Sequence, residues 1–190
     1  MLGSIKDFKF KKIKNFLTLE ETNSLCKYVE DYHKNNLHPH GIDMIQSNVY
    51  NTMGDYQPVF EKLLETKRKK MEEECGLSLY PTYSFFRMYT LYSDLKKHTD
   101  RPSCEISATV CLGGDKTDWP IYMEGTPVIL DPGDAVIYLG CDLQHWREKF
   151  LGDWQAQCFL HWVDANGKFK EHKNDNILKT KYFKKRKNKY

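Results

Sequence analysis

Two histidines and one aspartate stand in a pattern that could hold a transition metal. His98-Thr99-Asp100 is followed, 45 residues past the aspartate, by His145 in the run C-D-L-Q-H-W-R-E. Imidazole and carboxylate donors suit first-row divalent ions. Two imidazoles and one carboxylate on a single face of ferrous iron leave coordination positions open for oxidative chemistry. The H-x-D pair alone is weak, because a chain with seven His is expected to contain about half such a motif by chance, the hazard of any short pattern. His145 alone reads equally well as a hydrogen-bonded structural histidine. In a strand, residues i and i+2 share a face, so His98 and Asp100 can grip one ion at a strand edge.

The elements that must position these residues change character at Gly76. Before it the chain reads as helical. Thr18 and Glu21 have the spacing of a capping box. The apolar stripe that follows, Leu25, Tyr28, Val29 and Tyr32, has helical period. Residues 33–55 are polar and irregular, fit for a lid, with His38 and His40 in a loop beside Pro39. A second helix is predicted from about 57 to 75, with a stripe of Val59, Phe60, Leu63, Leu64, Lys67 and Met71 and a stop at Gly76.

After Gly76 the composition is that of strands. Residues 80–92 are rich in aromatics and Thr. In 106–112, Ile106, Ala108, Val110 and Leu112 alternate with Ser107, Thr109 and Cys111, which predicts a half-buried strand. Segments 119–123 and 126–130 follow. Asp131-Pro132-Gly133-Asp134 then fits a type II turn. Strands are predicted at 135–139 and 155–163. Helices followed by a run of strands argue an α+β fold, a sandwich or barrel packed on helices, with a ligand-sized cavity at its mouth.

Several stretches in order resemble the 2-oxoglutarate-dependent Fe(II) oxygenases, in their prolyl-4-hydroxylase-like branch. N-F-L-T-L-E-E at 15–21 is similar to the opening helix of that branch. Arg87-x-Tyr89 precedes H-x-D by nine residues. His98-Thr-Asp100 runs on into R-P-S-C-E-I-S at 101–107, and D-P-G-D-A-V-I-Y at 131–138 precedes the distal His145. Residues 83–163 are similar to the catalytic core. The resemblance implies a double-stranded β-helix, a jelly-roll or cupin-like barrel buttressed by the N-terminal helices. It implies Fe(II) held by His98, Asp100 and His145, with 2-oxoglutarate chelating two positions and O2 taking the third. The implied reaction is hydroxylation with release of succinate and CO2. A protein or peptide side chain, or a small metabolite, is the implied substrate.

The chain departs from the family pattern at the co-substrate anchor. The cation commonly found about ten residues past the distal histidine is missing, since 154–157 reads W-Q-A-Q. Arg147 is favoured instead, because it should share a strand face with His145 and a planar guanidinium suits bidentate carboxylate binding. Its competing role is an ion pair with Glu148. Tyr89 is the second candidate for the co-substrate, by resemblance, against plain packing with Phe85 and Phe86. Arg101, beside the ligand Asp100, is the third, with Glu105 as its alternative partner, and Arg87 has a similar choice. Gln155 and Gln157 offer weaker hydrogen bonds. His161, on their face, reads as a structural histidine rather than a fourth ligand.

At 190 residues the chain suggests one domain over 1–178, helical at 1–76 with a β core at 77–165, and a basic tail at 179–190. The tail holds seven Lys or Arg and no acid, so the rest carries +3 less 7, or −4. Such a tail reads as a solvated appendage or as a contact for nucleic acid or an acidic partner. It motivates a second enzymatic reading, oxidative demethylation or hydroxylation of nucleic acid. A non-enzymatic cupin-like metal-binding domain is the third reading. No apolar run reaches membrane-spanning length. The six scattered Cys, none in C-x-x-C, read as reduced thiols in a cytoplasmic protein with no export signal.

Overall fold

The computed structural model describes residues 4–35, 46–53 and 57–175. Its elements in chain order are α1 (Ile5–Phe8), β1 (Phe10–Ile13), α2 (Leu19–Asn35), β2 (Gln46–Asn51), α3 (Pro58–Cys75), β3 (Leu79–His98), β4 (Ile106–Gly114), β5 (Ile121–Met123), β6 (Thr126–Val128), β7 (Ala135–Leu139), β8 (His145–Arg147) and β9 (Trp154–Asp164). All strand pairings are antiparallel, in the order β1-β7-β4-β9-β3-β8-β5-β6, with β2 on β3. The sheet curls into a nearly closed barrel, consistent with a double-stranded β-helix.

The helices form where capping and periodicity require them. The Thr18 hydroxyl accepts from the Glu21 N–H (3.1 Å) and the Glu21 carboxylate accepts from the Thr18 N–H (2.8 Å), closing the capping box. The same carboxylate meets Lys67 of α3 at 2.7 Å, which ties the two helices together. Phe60, Leu64 and Met71 of α3 are buried, while Val59 is 38% exposed and lies off the stripe. The Phe60 ring sits 5.9 Å from Tyr28 of α2 and 5.1 Å from Phe86 of β3. Burying each such side chain contributes roughly 1.5–3 kcal/mol. The helices therefore cover one face of the barrel wall.

That cover corrects the expectation for 106–112. Every residue of β4 from Ile106 to Gly113 is buried, on both faces. Ile106, Ala108, Val110 and Leu112 join the core shared with the helices. Ser107 and Thr109 point the other way, into the barrel, where small polar side chains leave room. The alternation is real, but its second face meets a cavity rather than solvent.

The longest strand also differs from expectation. β3 runs twenty residues and does two jobs. Its first part pairs with β9, placing Tyr83, Phe85, Arg87 and Tyr89 opposite His161, Phe159, Gln157 and Gln155. These eight residues form one inner face of the barrel. Its end crosses over to β8, bringing His98 opposite His145. Part of the irregular stretch is in fact β2, which pairs with β3. Residues 36–45 and 54–56, with His38 and His40, lie outside the described residues, as does the basic tail.

The Pro132-Gly133 turn forms as the sequence predicts. Asp134 donates its N–H to the Asp131 carbonyl (2.9 Å), and Gly133 adopts φ +91° as a type II turn requires. The turn aims β7 back along β4.

Candidate metal centre and cavity

His98 ends β3 and His145 opens β8, two strands made neighbours by the barrel. Each ring donates its Nδ1–H to a carbonyl two residues earlier, His98 to Lys96 (2.8 Å) and His145 to Leu143 (3.0 Å). A carbonyl can only accept, so both Nδ1 atoms carry the proton. In the neutral rings both Nε2 atoms are then the lone-pair donors, the tautomer that binds a metal. Asp100 lies just past the strand end rather than in it. Its N–H donates to the Gly140 carbonyl at 2.8 Å, so a tether to the β7–β8 connection, not strand alternation, brings the carboxylate round.

The three donors face one another without bonding. Asp100 Oδ1 is 3.6 Å from His98 Nε2 and 3.7 Å from His145 Nε2, too long for hydrogen bonds. Metal–ligand bonds of about 2.0–2.2 Å put neighbouring donors roughly 3–4 Å apart, so the set fits one shared ion. Asp100 Oδ2 is buried with no hydrogen-bond partner. Burial pushes the Asp100 carboxyl up, but the neighbouring imidazoles outweigh it and hold it below its ordinary range. The carboxylate is therefore charged at neutral pH. His145 is buried, whereas His98 and Asp100 are partly open, which sets the centre at the mouth of a cavity.

The cavity behind the triad has a volume of about 280 Å³ and is lined by residues from β3, β4, β7, β8 and β9. Arg147 forms part of its wall and is 3% exposed. Its guanidinium donates to the Trp119 carbonyl (2.6 Å) and to Gln157 Oε1 (2.7 Å), and lies 4.5 Å from the Trp119 ring centre. Burial pulls its pKa down to about 10, which still leaves it charged at neutral pH. It meets no carboxylate among the described residues. Glu148 instead receives Trp146 Nε1 on its side chain and Trp119 Nε1 on its carbonyl. Gln157 passes its own N–H to Gln155 Oε1, so the two glutamines hold the guanidinium in place.

Tyr89 is fully buried beside Trp119, ring centres 4.8 Å apart, and its hydroxyl has no hydrogen-bond partner. It is not part of the lining, and it packs on Trp119 rather than on Phe85 and Phe86. Arg101 stands at the cavity edge. Its Nε donates to the Tyr83 hydroxyl (3.3 Å) and its guanidinium pairs with Asp175 (3.4 Å). Glu105 is engaged elsewhere, accepting from the Asp164 N–H. Arg87 is buried with its Nε unpartnered, its guanidinium 4.9 and 5.1 Å from the Phe85 and Phe159 ring centres.

His161 is buried in the same cavity. The Ser107 hydroxyl donates to the Cys104 carbonyl (3.0 Å), so it accepts from His161 Nδ1 (2.8 Å), and His161 Nε2 keeps a free lone pair. Burial pulls its pKa down to about 4. An unfolded histidine titrates near 6.5, so between about pH 6.5 and 4 the unfolded chain binds the extra proton and the folded one does not. Stability is therefore expected to fall as pH drops through that window, by roughly 3 kcal/mol in total. Urea midpoints at pH 7 and pH 5 check this, and His161→Gln should flatten the difference.

Sequence reasoning passed over two residues that shape this site. Tyr138 of β7 lines the cavity with its ring 4.8 Å from His145. Gly140 sits so close to the metal-binding loop that an added Cβ would strike the Cys104 carbonyl oxygen and lie 2.6 Å from Asp100 Oδ2. A glycine directly after a strand and before C-D-L-Q-H was the available signal. Gly140→Ala must displace Asp100 and is expected to weaken metal binding about 10- to 100-fold, as loss of outer supports does. Isothermal titration with Mn(II) or Fe(II) reads the effect.

No family model matches the chain, and no curated protein matches it by sequence. Its structure does have relatives. A prolyl-4-hydroxylase from Pseudomonas putida superposes with a TM-score of 0.63 at 15% identity, covering 82% of this chain and 92% of the other. HygX from Streptomyces hygroscopicus, solved with nickel and 2-oxoglutarate, gives 0.62 at 12% identity, covering 83% and 84%. The viral collagen prolyl hydroxylase of Paramecium Bursaria Chlorella virus-1 gives 0.61 at 13%, covering 84% and 98%. The chain thus has the double-stranded β-helix fold of the 2-oxoglutarate/Fe(II) oxygenases, prolyl hydroxylases among them. No helix among the described residues is long and apolar enough to cross a membrane.

Proposed function

We propose that this protein is an Fe(II)- and 2-oxoglutarate-dependent dioxygenase that hydroxylates a protein or peptide side chain or a small metabolite. The observation that carries the reading is the pairing of a two-His, one-Asp donor set at a cavity mouth with a buried, unmatched guanidinium in the cavity wall. The fold comparison supports the same chemistry, since neighbours of this fold include HygX solved with nickel and 2-oxoglutarate and EctD solved with 2-oxoglutarate and 5-hydroxyectoine. One neighbour is an epimerase, so the fold alone leaves the outcome of the oxidation open.

Iron with 2-oxoglutarate and O2 would supply a two-electron oxidation that yields succinate, CO2 and hydroxylated substrate. His98, Asp100 and His145 would hold the ion, with their orientation set by the Lys96, Leu143 and Gly140 carbonyls. Arg147 would bind the far carboxylate of 2-oxoglutarate, steadied by Gln157 and Trp119. Tyr89, whose unpartnered hydroxyl is buried nearby, would add a hydrogen bond. Arg101 would act at the mouth, on the substrate side. Leu95, Ile121 and Phe159 in the lining exclude water from the reacting groups. The same reading takes 1–178 as one oxygenase domain with 179–190 as a basic appendage. The six unpaired cysteines fit a cytoplasmic setting.

Anaerobic addition of Fe(II) and 2-oxoglutarate should produce a weak visible charge-transfer band, and admission of O2 should release succinate. His98→Ala should show neither. Metal binding without any 2-oxoglutarate turnover would instead favour a cupin-like binding domain.

A further inference from the structure

We propose that Arg87 forms a second anion subsite in this cavity, and that the substrate is a small carboxylic acid held there by its carboxylate. This rests on the dioxygenase reading and extends it to the substrate.

The argument begins with charge. Among the described residues the cavity lining contains three arginines, Arg87, Arg101 and Arg147, and a single carboxylate, Asp100. Arg101 is matched by Asp175. Two buried guanidinium groups are left, and neither meets a carboxylate among the described residues. An unpaired buried charge costs several kcal/mol, so such groups persist where a ligand completes them. A divalent ion beside Asp100 leaves one net positive charge at the metal. Adding Arg87 and Arg147 makes three, and dianionic 2-oxoglutarate reduces this to one. The remaining positive charge calls for one further anionic group.

Geometry assigns that group to Arg87. Arg147 is already committed to Trp119 and Gln157, which fix it for one ligand. The guanidinium of Arg87 rests near the faces of Phe85 and Phe159, an arrangement that orients the cation while its Nε stays unbonded. A planar guanidinium so held can meet a carboxylate through its two terminal nitrogens in the fork geometry. The cavity, at about 280 Å³, lies just below the roughly 300–1,000 Å³ usual for small-molecule sites. Shared with 2-oxoglutarate, it admits a small acid rather than a bulky one, against the aromatic wall of Phe85 and Phe159.

The test uses protein loaded with Mn(II) and saturating 2-oxoglutarate without O2. Calorimetry compares acetate, benzoate, 3-phenylpropionate and free amino acids with their primary amides. Acids should bind more tightly than amides by about ten- to a hundredfold, the worth of a charge-assisted pair. Arg87→Gln should erase the preference and leave 2-oxoglutarate affinity within about twofold, with Arg87→Lys restoring part of the preference. A thermal melt confirms that each variant folds. Equal binding of acids and amides, or no binding of any acid, overturns the proposal. So does binding confined to Asp- or Glu-containing peptides. A fall in 2-oxoglutarate affinity in Arg87→Gln also overturns it, by placing Arg87 on the co-substrate. Repeating the acid and amide comparison without 2-oxoglutarate keeps the subsite measurable even if the wild type fails to bind that co-substrate.

Discussion

Replacing Asp100 by Ala should reduce metal affinity by well over about 100-fold and reduce succinate formation to background. Loss of an outer support alone commonly costs 10–100-fold, and Asp100 is a direct donor. Among the described residues it is the only carboxylate lining the cavity, and its Oδ1 faces both His98 and His145. Two neutral imidazoles remain in the variant, and they hold a divalent ion weakly at an open mouth. The fold should survive, because the Asp100 backbone bond to Gly140 does not need the side chain. Metal titration, succinate assay and a thermal melt on the same preparation separate these effects. A variant that keeps both metal and turnover would sink the assignment of the triad.

Arg147→Met should produce the second large effect, with an unusual signature. Removing one partner of a buried charge pair typically costs about 2–5 kcal/mol of binding, so 2-oxoglutarate affinity should fall roughly 30- to several-thousand-fold. Stability of the ligand-free protein should change little. The guanidinium is buried without a carboxylate partner, and its removal relieves a desolvation cost while freeing two acceptors, Trp119 O and Gln157 Oε1. These effects oppose each other, each on the order of 1–3 kcal/mol. Arg147→Lys should recover only part of the affinity, because an ammonium lacks the fork. Calorimetry against 2-oxoglutarate, with denaturation midpoints alongside, checks both halves. Intact affinity would shift the anchor to another residue, and a collapse of the ligand-free fold would make Arg147 a structural residue.

Much of the architecture was legible locally. The Thr18–Glu21 box, the Gly76 stop and the Pro132-Gly133 turn each act within four residues, and all formed where the sequence placed them. The strands were found by composition, but their lengths were not. β3 runs on to His98 because β9 partners its first part up to Thr90 and β8 its end at Leu95 and His98, information held far along the chain. β1 and β2 escaped notice because short polar strands gain their stability from a neighbour's edge rather than from their own pattern.

By itself, the sequence determined the donor types, their order along the chain and the alternation of faces within strands such as β4. Two imidazoles, a carboxylate and several arginines among apolar strands pointed to a metal and an anion. Only the tertiary structure decided which of those arginines meet no counter-charge among the described residues, how Gly140 tethers Asp100, and that the second face of β4 looks onto a cavity. Periodicity reports which way a side chain points from its own strand. Whether a charge is matched, or a face is solvated, depends on what sheet closure brings opposite it, and that is set by residues far away in the chain.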